Sequence, residues 1–328
     1  MNRQKKILVM SRGAIDIDVN LIAKGTPSHI YYGMTELLHE YDSFDFKQVK
    51  GMLDNTITFI KGDFDALYMH NWNPFRFFPL HIIKALIPST RKKKVICLCH
   101  AGIFGKGHPS EKLLRFGRAI SWMAKGYDKL LFFSPKSMEE SVNAGVSRDK
   151  CQLVHWGVDL FFEMECSKKA SPDVTSRYWI STGRENRDYR TMEEVKEKIK
   201  DFCELKILSH GMMSPEEASV LTAKSRGVIV IPSAGGLNYC TGLTCIMEAF
   251  ALGKPIVAVK NPYYPFDIEA EGCGIYVDIA APRQIVDAII KIESDTTLYS
   301  TMCQNARKLS EDYNMECFKN ELIALIES

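Results

Sequence analysis

The sequence contains no apolar run near the roughly 20 residues a membrane-spanning helix needs, so an integral membrane class is not expected. It has no Cys-x-x-Cys pair, although it carries ten cysteines, at 97, 99, 151, 166, 203, 240, 245, 273, 303 and 317. Several sit inside apolar runs, where a reduced thiol acts as a small hydrophobe. A disulfide framework is therefore not expected, and a reducing, cytoplasmic setting is. Charge of one sign is also lacking: 42 Lys and Arg face 40 Asp and Glu, a net +2, which gives no electrostatic case for a nucleic-acid partner. Internal repeats and low-complexity tracts are absent. The apolar run Ile7–Met10 behind Arg3, Lys5 and Lys6 is too short for a signal-peptide core and reads as a first β-strand.

Two apparent motifs fail on spacing. Gly102-Ile103-Phe104-Gly105-Lys106 has neither the length of a phosphate loop nor a Ser/Thr after its lysine. Ser233 lies among small residues, but Ile231 breaks the Gly-x-Ser-x-Gly hydrolase elbow. Cys97 and Cys99 share one strand face while His100 points to the other, which argues against a zinc site.

What is present is alternation. Short apolar runs at Ile7–Met10, Ala66–Met69, Val95–Cys99, Leu130–Phe133 and Leu153–Trp156 are separated by longer helical patterns. The second half repeats this with Tyr178–Ser181, Leu205–Leu208, Val228–Ile231, Ile256–Val259 and Ile275–Val277. Continuous runs of this length suit parallel strands covered on both faces. Helix starts are marked by Ser214-Pro215-Glu216-Glu217, Thr191-Met192-Glu193-Glu194 and Ser137-Met138-Glu139-Glu140. Strand and helix alternating twice over predicts an α/β chain of two Rossmann-like, doubly wound domains facing across a cleft. The expected division is an N-terminal domain over 1–162, a polar linker over 163–177 and a C-terminal domain over 178–328. The last helix, about Glu316–Ile326, is expected to pack back on the first domain.

The richest segment runs from Gly235 to Pro255. After the strand Val228–Ile231 the chain passes through a glycine-rich loop into a helix that ends at Gly253. A helix start behind small residues offers free N–H groups and a positive dipole end, an anion site suited to a diphosphate. Thr241, Gly242, Leu243 and Thr244 form that start, and Glu248 lies one turn inside, where its carboxylate could accept from sugar or ribose hydroxyls. Ser181-Thr182-Gly183-Arg184-Glu185-Asn186-Arg187-Asp188-Tyr189-Arg190 follows another strand and adds cations, and guanidinium forks match phosphate oxygens.

On these segments the sequence resembles the glycosyltransferase family 4 (group 1) enzymes of the GT-B fold. Their signature reads, loosely, Glu-x7-Glu-Ala-Met-Ala-x-Gly-x-Pro, and Glu248-Ala249-Phe250-Ala251-Leu252-Gly253-Lys254-Pro255 matches its second half. Cys240 stands at the first acidic position, so the glutamate that the family ties to the transferred sugar is missing. The resemblance gives Glu248 the donor ribose. It identifies Gly183 and Arg184 with the family's Gly-Arg loop, with Arg187 or Arg190 in place of its lysine. Val154-His155-Trp156-Gly157-Val158-Asp159 is similar to the stretch closing the first domain, and Gly211 and Met212 fall in the nucleotide-base loop. His100 occupies the place of a histidine facing the sugar, with a cleft-edge structural histidine as the plainer reading. Ser28 and His29 stand at a helix start, about Ile30 to His39, that approaches donor or acceptor in relatives; His29 reads equally as a polar helix-start residue.

The resemblance implies transfer of a sugar from a nucleotide-diphosphate sugar to a hydroxyl acceptor, saccharide or lipid-linked, in polysaccharide or glycoconjugate assembly. It implies retention of anomeric configuration and no cofactor beyond the nucleotide sugar. No metal is expected, because cations and a helix start take the role of an ion. The rival readings are a sugar-nucleotide epimerase of the same fold and an inactive sugar-nucleotide-binding subunit. Residues 75–94, with Phe75, Phe77 and Phe78 ahead of Arg91-Lys92-Lys93-Lys94, read either as an ordinary helix and solvated loop or as a peripheral contact with an anionic leaflet.

Overall fold

The apolar runs become short parallel strands, because a strand covered on both faces has no polar side to show. The computed structural model describes residues 3–11, 26–73, 75–99, 117–170, 177–183, 186–208, 213–235, 237 and 241–328. The chain divides into two compact units. One takes in Ser28–His155, the N-terminal strand and Glu316–Ser328; the other takes in Trp156–Met315.

In the first unit the order is β1 (Arg3–Ser11), a 3-10 turn (Ser28–Tyr31), α1 (Met34–Glu40), β2 (Tyr41–Gln48), α2 (Met52–Lys61), β3 (Ala66–Met69) and α3 (Leu80–Leu86). It continues through β4 (Lys94–Leu98), α4 (Gly117–Ala124), β5 (Lys129–Phe132), α5 (Pro135–Asn143) and β6 (Cys151–Leu153). The sheet has the order β2-β1-β3-β4-β5-β6 and every pair is parallel, with Val9 opposite Tyr68 and Tyr68 opposite Ile96. Leu8, Met10, Leu67, Val95, Cys97 and Leu130 turn into one core with Phe59, Phe77 and Trp72.

The second unit contains α6 (Leu160–Lys169), β7 (Tyr178–Ser181), α7 (Tyr189–Ile199), β8 (Glu204–Ile207), α8 (Pro215–Lys224), β9 (Gly227–Val230) and α9 (Leu243–Ala251). Then follow β10 (Ile256–Val259), β11 (Gly274–Val277), α10 (Pro282–Ser294) and α11 (Thr296–Asp312). Its sheet is also parallel, in the order β11-β10-β9-β7-β8. Both sheets are α/β and doubly wound, and each reverses its strand order beside its first strand, at β1/β3 and at β7/β9. Ligands in open parallel sheets sit beyond the carboxyl ends of the strands at such a reversal.

The last helix, α12 (Met315–Glu327), belongs over Glu316–Ser328 to the first unit. Tyr41 Oη donates to Glu327 Oε1 at 2.7 Å, Lys5 Nζ to the Ile326 carbonyl at 2.8 Å and the His155 N–H to Glu321 Oε2 at 2.8 Å, while Phe318 packs edge-on against Phe133.

Several expectations need correction. Residues 163–169 are not linker: they continue α6, which Asp159 caps by accepting from the Phe162 N–H at 3.0 Å, and the chain passes between units at His155/Trp156. Residues 171–176 lie outside the described residues. No helix runs from Ile30 to His39. The 3-10 turn ends at Tyr31, Tyr32 and Gly33 take positive φ (50° and 87°), and α1 starts at Met34. Only Ser214 caps where expected, in a capping box with Glu217. The other two helices start three residues earlier than read, on Ser134 and Asp188, whose side chains accept from the N–H groups of Ser137 and Thr191. Strand β2, absent from the sequence reading, extends the first sheet beyond β1.

Gly157 sits where Val158 bridges to Asn314, and a Cβ on it would lie 1.9 Å from the Tyr313 carbonyl oxygen and 2.4 Å from the Asn314 nitrogen. Backbone atoms cannot yield as a side-chain end can. Gly157→Ala is expected to destabilise the protein by about 1–3 kcal/mol, read as a melting point several degrees lower; an unchanged melting point would refute this packing.

Candidate functional site

The reversal point of the second sheet gathers the charged residues. The loop after β7 and the loop after β9 are stitched together: Arg187 bridges Pro232, the Asp188 N–H donates to the Ile231 carbonyl at 3.0 Å and the Ser233 N–H to the Asn186 carbonyl at 2.8 Å. The side chain of Arg187 turns inward and is only 9% exposed. Its Nε donates to the Thr182 carbonyl at 3.2 Å and Nη2 lies 3.3 Å from Cys245 Sγ in the first turn of α9. Gly183 makes room for it. At φ 102° this residue is in the region that favours glycine, and a Cβ would stand 2.2 Å from Arg187 Nη2.

Gly242 is the N-cap of α9, again at positive φ (83°), with no side chain capping the helix. A Cβ there would meet Val230 Cγ1 at 2.3 Å and the Tyr264 hydroxyl at 2.8 Å. That hydroxyl in turn donates to the carbonyl of buried Thr241. Leu243 is buried, anchoring the helix start, and Thr244 is half-buried. Among the described residues the N-cap of α9 thus offers its first N–H groups no side-chain acceptor at the carboxyl end of β9, as an anion site requires.

Glu248 lies one turn farther on, half-buried, and its carboxylate makes no hydrogen bond among the described residues. Burial pushes this carboxyl up to about 7, while Arg187 pulls it back down. Glu163, on α6, has a side chain that the sequence reading passed over as linker. It is 1% exposed, accepts from Ser219 Oγ at 3.1 Å through Oε1, and has no partner for Oε2. Burial first, and the Glu248 charge second, push it up to about 9.

The structure therefore brings Gly183, Arg187, Thr241, Gly242, Leu243, Thr244 and Glu248 to one place. Arg190 does not join them: it is exposed on the first turn of α7. Arg184, Gly211, Met212, Cys240 and His100 lie outside the described residues. In the first unit, Ser28 is half-buried in the 3-10 turn and His29 is buried within it. Beyond the β1/β3 reversal stand two residues the sequence reading missed, Ser11 and His70. Ser11 Oγ is 3.4 Å from His70 Nε2, and the His70 ring stacks on Tyr32 with centroids 5.8 Å apart. A lone histidine one residue past a four-residue strand carries no sequence signal of its own.

Among the described residues no cluster of three or more His, Cys, Asp or Glu could hold a metal. Asp63-Phe64-Asp65 has the spacing of an acidic pair, but it precedes β3 at the amino end of the sheet. There Lys6 binds Asp63 through its ammonium and Asp65 through its N–H. Among the described residues no helix is long and apolar enough to cross a membrane. In the 75–94 region, Phe77, Leu80 and Ile83 are core residues, while Phe75, Phe78, Ile82 and Leu86 are exposed, Leu86 by 75%. Trp122 on α4, exposed too, meets His81 edge-on at 4.5 Å. The basic run is weaker than it reads. Lys93 is buried, donating to the carbonyls of Phe59, Ile60 and Gly62, and Lys94 donates to the Leu325 carbonyl.

No family model and no curated protein matches the sequence. Solved structures do. HepE from Anabaena, crystallised with UDP, aligns over 98% of this chain and 99% of its own, with a TM-score of 0.66 at 14% identity. The α,α-trehalose 6-phosphate synthase of Burkholderia multivorans aligns over 99% and 97% with a TM-score of 0.66 at 10% identity. A UDP-N-acetylglucosamine 2-epimerase aligns over 98% and 95% with a TM-score of 0.58 at 9% identity. The fold is GT-B. In this GT-B chain, as in the sheets described above, the strand reversal of the second unit is where β7 and β9 deliver Arg187 and the start of α9.

The close fit at the helix start yields a direct test. Gly242→Ala combines an unfavourable φ with contacts on Val230 and Tyr264, and is expected to cost about 1–3 kcal/mol, lowering the melting point by several degrees. A wild-type melting curve would mean that α9 does not start as described.

Proposed function

We propose that the protein is a glycosyltransferase that takes a sugar from a nucleoside-diphosphate sugar and transfers it to a hydroxyl acceptor. The observation carrying this reading is one arrangement within the second unit: a buried guanidinium and a helix start with a glycine N-cap stand at a sheet reversal, with a carboxylate a turn away that makes no hydrogen bond among the described residues. The guanidinium and helix start suit a diphosphate, and the carboxylate suits the two hydroxyls of a ribose.

In the reaction, the bond from the anomeric carbon to the diphosphate oxygen breaks, and that oxygen keeps the electron pair. The acceptor oxygen bonds the same carbon, and the acceptor's proton leaves with the diphosphate. Stabilising the departing charge is the main task of the site. Arg184, by its place in the Gly-Arg loop, takes that role together with Arg187 and the N–H groups at Thr241–Thr244. Glu248 takes the ribose, Gly211 and Met212 flank the base, and His100 faces the sugar. The site needs no metal or further cofactor, since fixed cations meet the diphosphate. Retention of configuration is the outcome the family resemblance favours. HepE was crystallised with UDP and with UDP-glucose, which makes a uridine donor the first to try.

The acceptor is a saccharide or a lipid-linked hydroxyl of polysaccharide or glycoconjugate assembly, met in the cytoplasm. Ile82 and Leu86, one helical turn apart on α3, together with Phe75, Phe78 and Trp122, offer an apolar contact with the inner membrane face. Arg91 and Lys92 are the cations of that run left near the surface. Vesicles of phosphatidylglycerol should co-sediment the wild type but not Phe78→Ser/Leu86→Ser. Equal sedimentation of both would remove the membrane from the proposal.

The deciding experiment is calorimetric titration with UDP, GDP, ADP, TDP and CMP, followed by turnover of the matching sugar donor. One nucleotide is expected to bind. Arg184→Ala and Glu248→Gln should each weaken it about 10- to 100-fold, the loss of hydrogen bonds to a charged group. Undiminished affinity in both variants would refute the site. The epimerase structure of the same fold supports a second reading, in which donor is interconverted without acceptor; that product, seen with purified protein and UDP-N-acetylglucosamine alone, would replace transfer by epimerisation.

A further inference from the structure

Glu163 is a buried carboxyl of the second unit for which the proposed reaction has no use. It is buried on α6, a helix packed against α9, and the charge of Glu248 on α9 acts on it; two neighbouring buried carboxylates cannot both be charged without compensation. Among the described residues the groups acting on the pair are few. Asp159 and Cys166 lie on α6 itself, and Ser219 comes from α8, where Glu216 is already bound by Lys169. From the loop after β7 comes Arg187, the cation that acts on Glu248, with Tyr264 on its other side. One guanidinium balances one carboxylate.

The remaining proton belongs on Glu163. It is the more deeply buried of the two, its Oε1 already accepts from Ser219, and its Oε2 has no donor to accept from. Glu248 is half-buried and lies within reach of the field of Arg187. Above about 7 the pair therefore holds a single proton, until Glu163 gives it up at about 9.

We propose that Glu163 is a positioning residue of the nucleotide site: it stays a neutral acid beside Glu248, so that Glu248 alone carries the charge that receives the ribose hydroxyls. This rests on the donor-site reading above. Its consequence is a window of binding. Below the window Glu248 is protonated and a poorer acceptor. Above it a second anion appears next to Glu248 and works against the cations that hold the diphosphate.

Two measurements on wild type and Glu163→Gln test this, and the first needs no ligand. A folded-state carboxyl raised far above its unfolded value of about 4.5 is a proton the native state keeps after the unfolded chain has lost it. Stability from this group is therefore greatest below the unfolded value and falls as pH rises, levelling off above about 9. Glutamine cannot titrate, so the melting point of Glu163→Gln relative to wild type should climb steadily from pH 5 to pH 9. The comparison cancels other groups, such as Lys254, which burial lowers to about 8. A constant difference across that range overturns the shared proton.

The second measurement is UDP affinity against pH. Wild type should tighten through pH 7 and weaken up to about fivefold from pH 9 to pH 10. Glu163→Gln, which keeps the shape and a donor, should bind within about threefold of wild type at pH 7.5 and lose the alkaline fall. An alkaline fall unchanged in the variant, or tenfold weaker binding at every pH, overturns the positioning role. If the wild type binds no nucleotide while the melting points diverge as stated, the donor-site reading fails and the positioning role fails with it, but the shared proton stands.

Discussion

A guanidinium taken into a protein interior brings five N–H donors and a charge that does not titrate away, and meeting those demands organises the second unit around Arg187. One donor is met by the Thr182 carbonyl, directly after β7, and another points at Cys245 in the first turn of α9. The residue's own backbone bridges Pro232 beyond β9. The side chain thus ties the loop after β7 to the first turn of α9, and the backbone of the same residue ties it to the loop after β9. Gly183 is glycine because that group occupies the space a Cβ would take. Gly242 is glycine for a related reason on the opposite side, where Val230 and Tyr264 close on the helix start.

The same cation sets the chemistry of its neighbours. A glutamate one turn into an apolar helix would ordinarily be neutral if nothing offset its burial. Burial raises both carboxyls; Arg187 pulls Glu248 back down, to about 7, while the charge of Glu248 pushes Glu163 farther up, to about 9. Burial and one fixed charge suffice to separate their roles, as environment separates paired carboxyls generally.

The strands were legible because a strand covered on both faces shows its burial as an unbroken apolar run, and the order of those runs carried both doubly wound sheets. The resemblance segments located Gly183, Gly242 and Glu248, all fixed by backbone geometry at a sheet reversal. What was hidden followed a different logic. Helix α6 exposes Phe161 by 70% and buries Glu163, an inverted pattern with no apolar stripe to find, so it passed for a linker. Strand β2 is a sheet edge with polar residues outward, and its Tyr-Asp-Ser-Phe-Asp-Phe-Lys-Gln reads as loop. Arg187 and Arg190 are indistinguishable on paper; only the inward turn of the loop buries one and leaves the other in solvent. Lys93 looked like surface charge because a sequence does not show that the carbonyls ending α2 are waiting for it.

Cys240 bears on the charge balance rather than on the fold. A glutamate there would give the proposed donor site a second acidic side chain; this sequence has a cysteine instead. With Glu163 neutral as proposed, the donor site proposed above sets one carboxylate, Glu248, against Arg187 and the positive end of α9. The surplus is cationic, and a diphosphate leaving group is the ligand whose own charge it would neutralise. On that proposal the cysteine at 240 and the neutrality of Glu163 act in the same direction: both would keep negative charge away from the place where a departing diphosphate gathers its own.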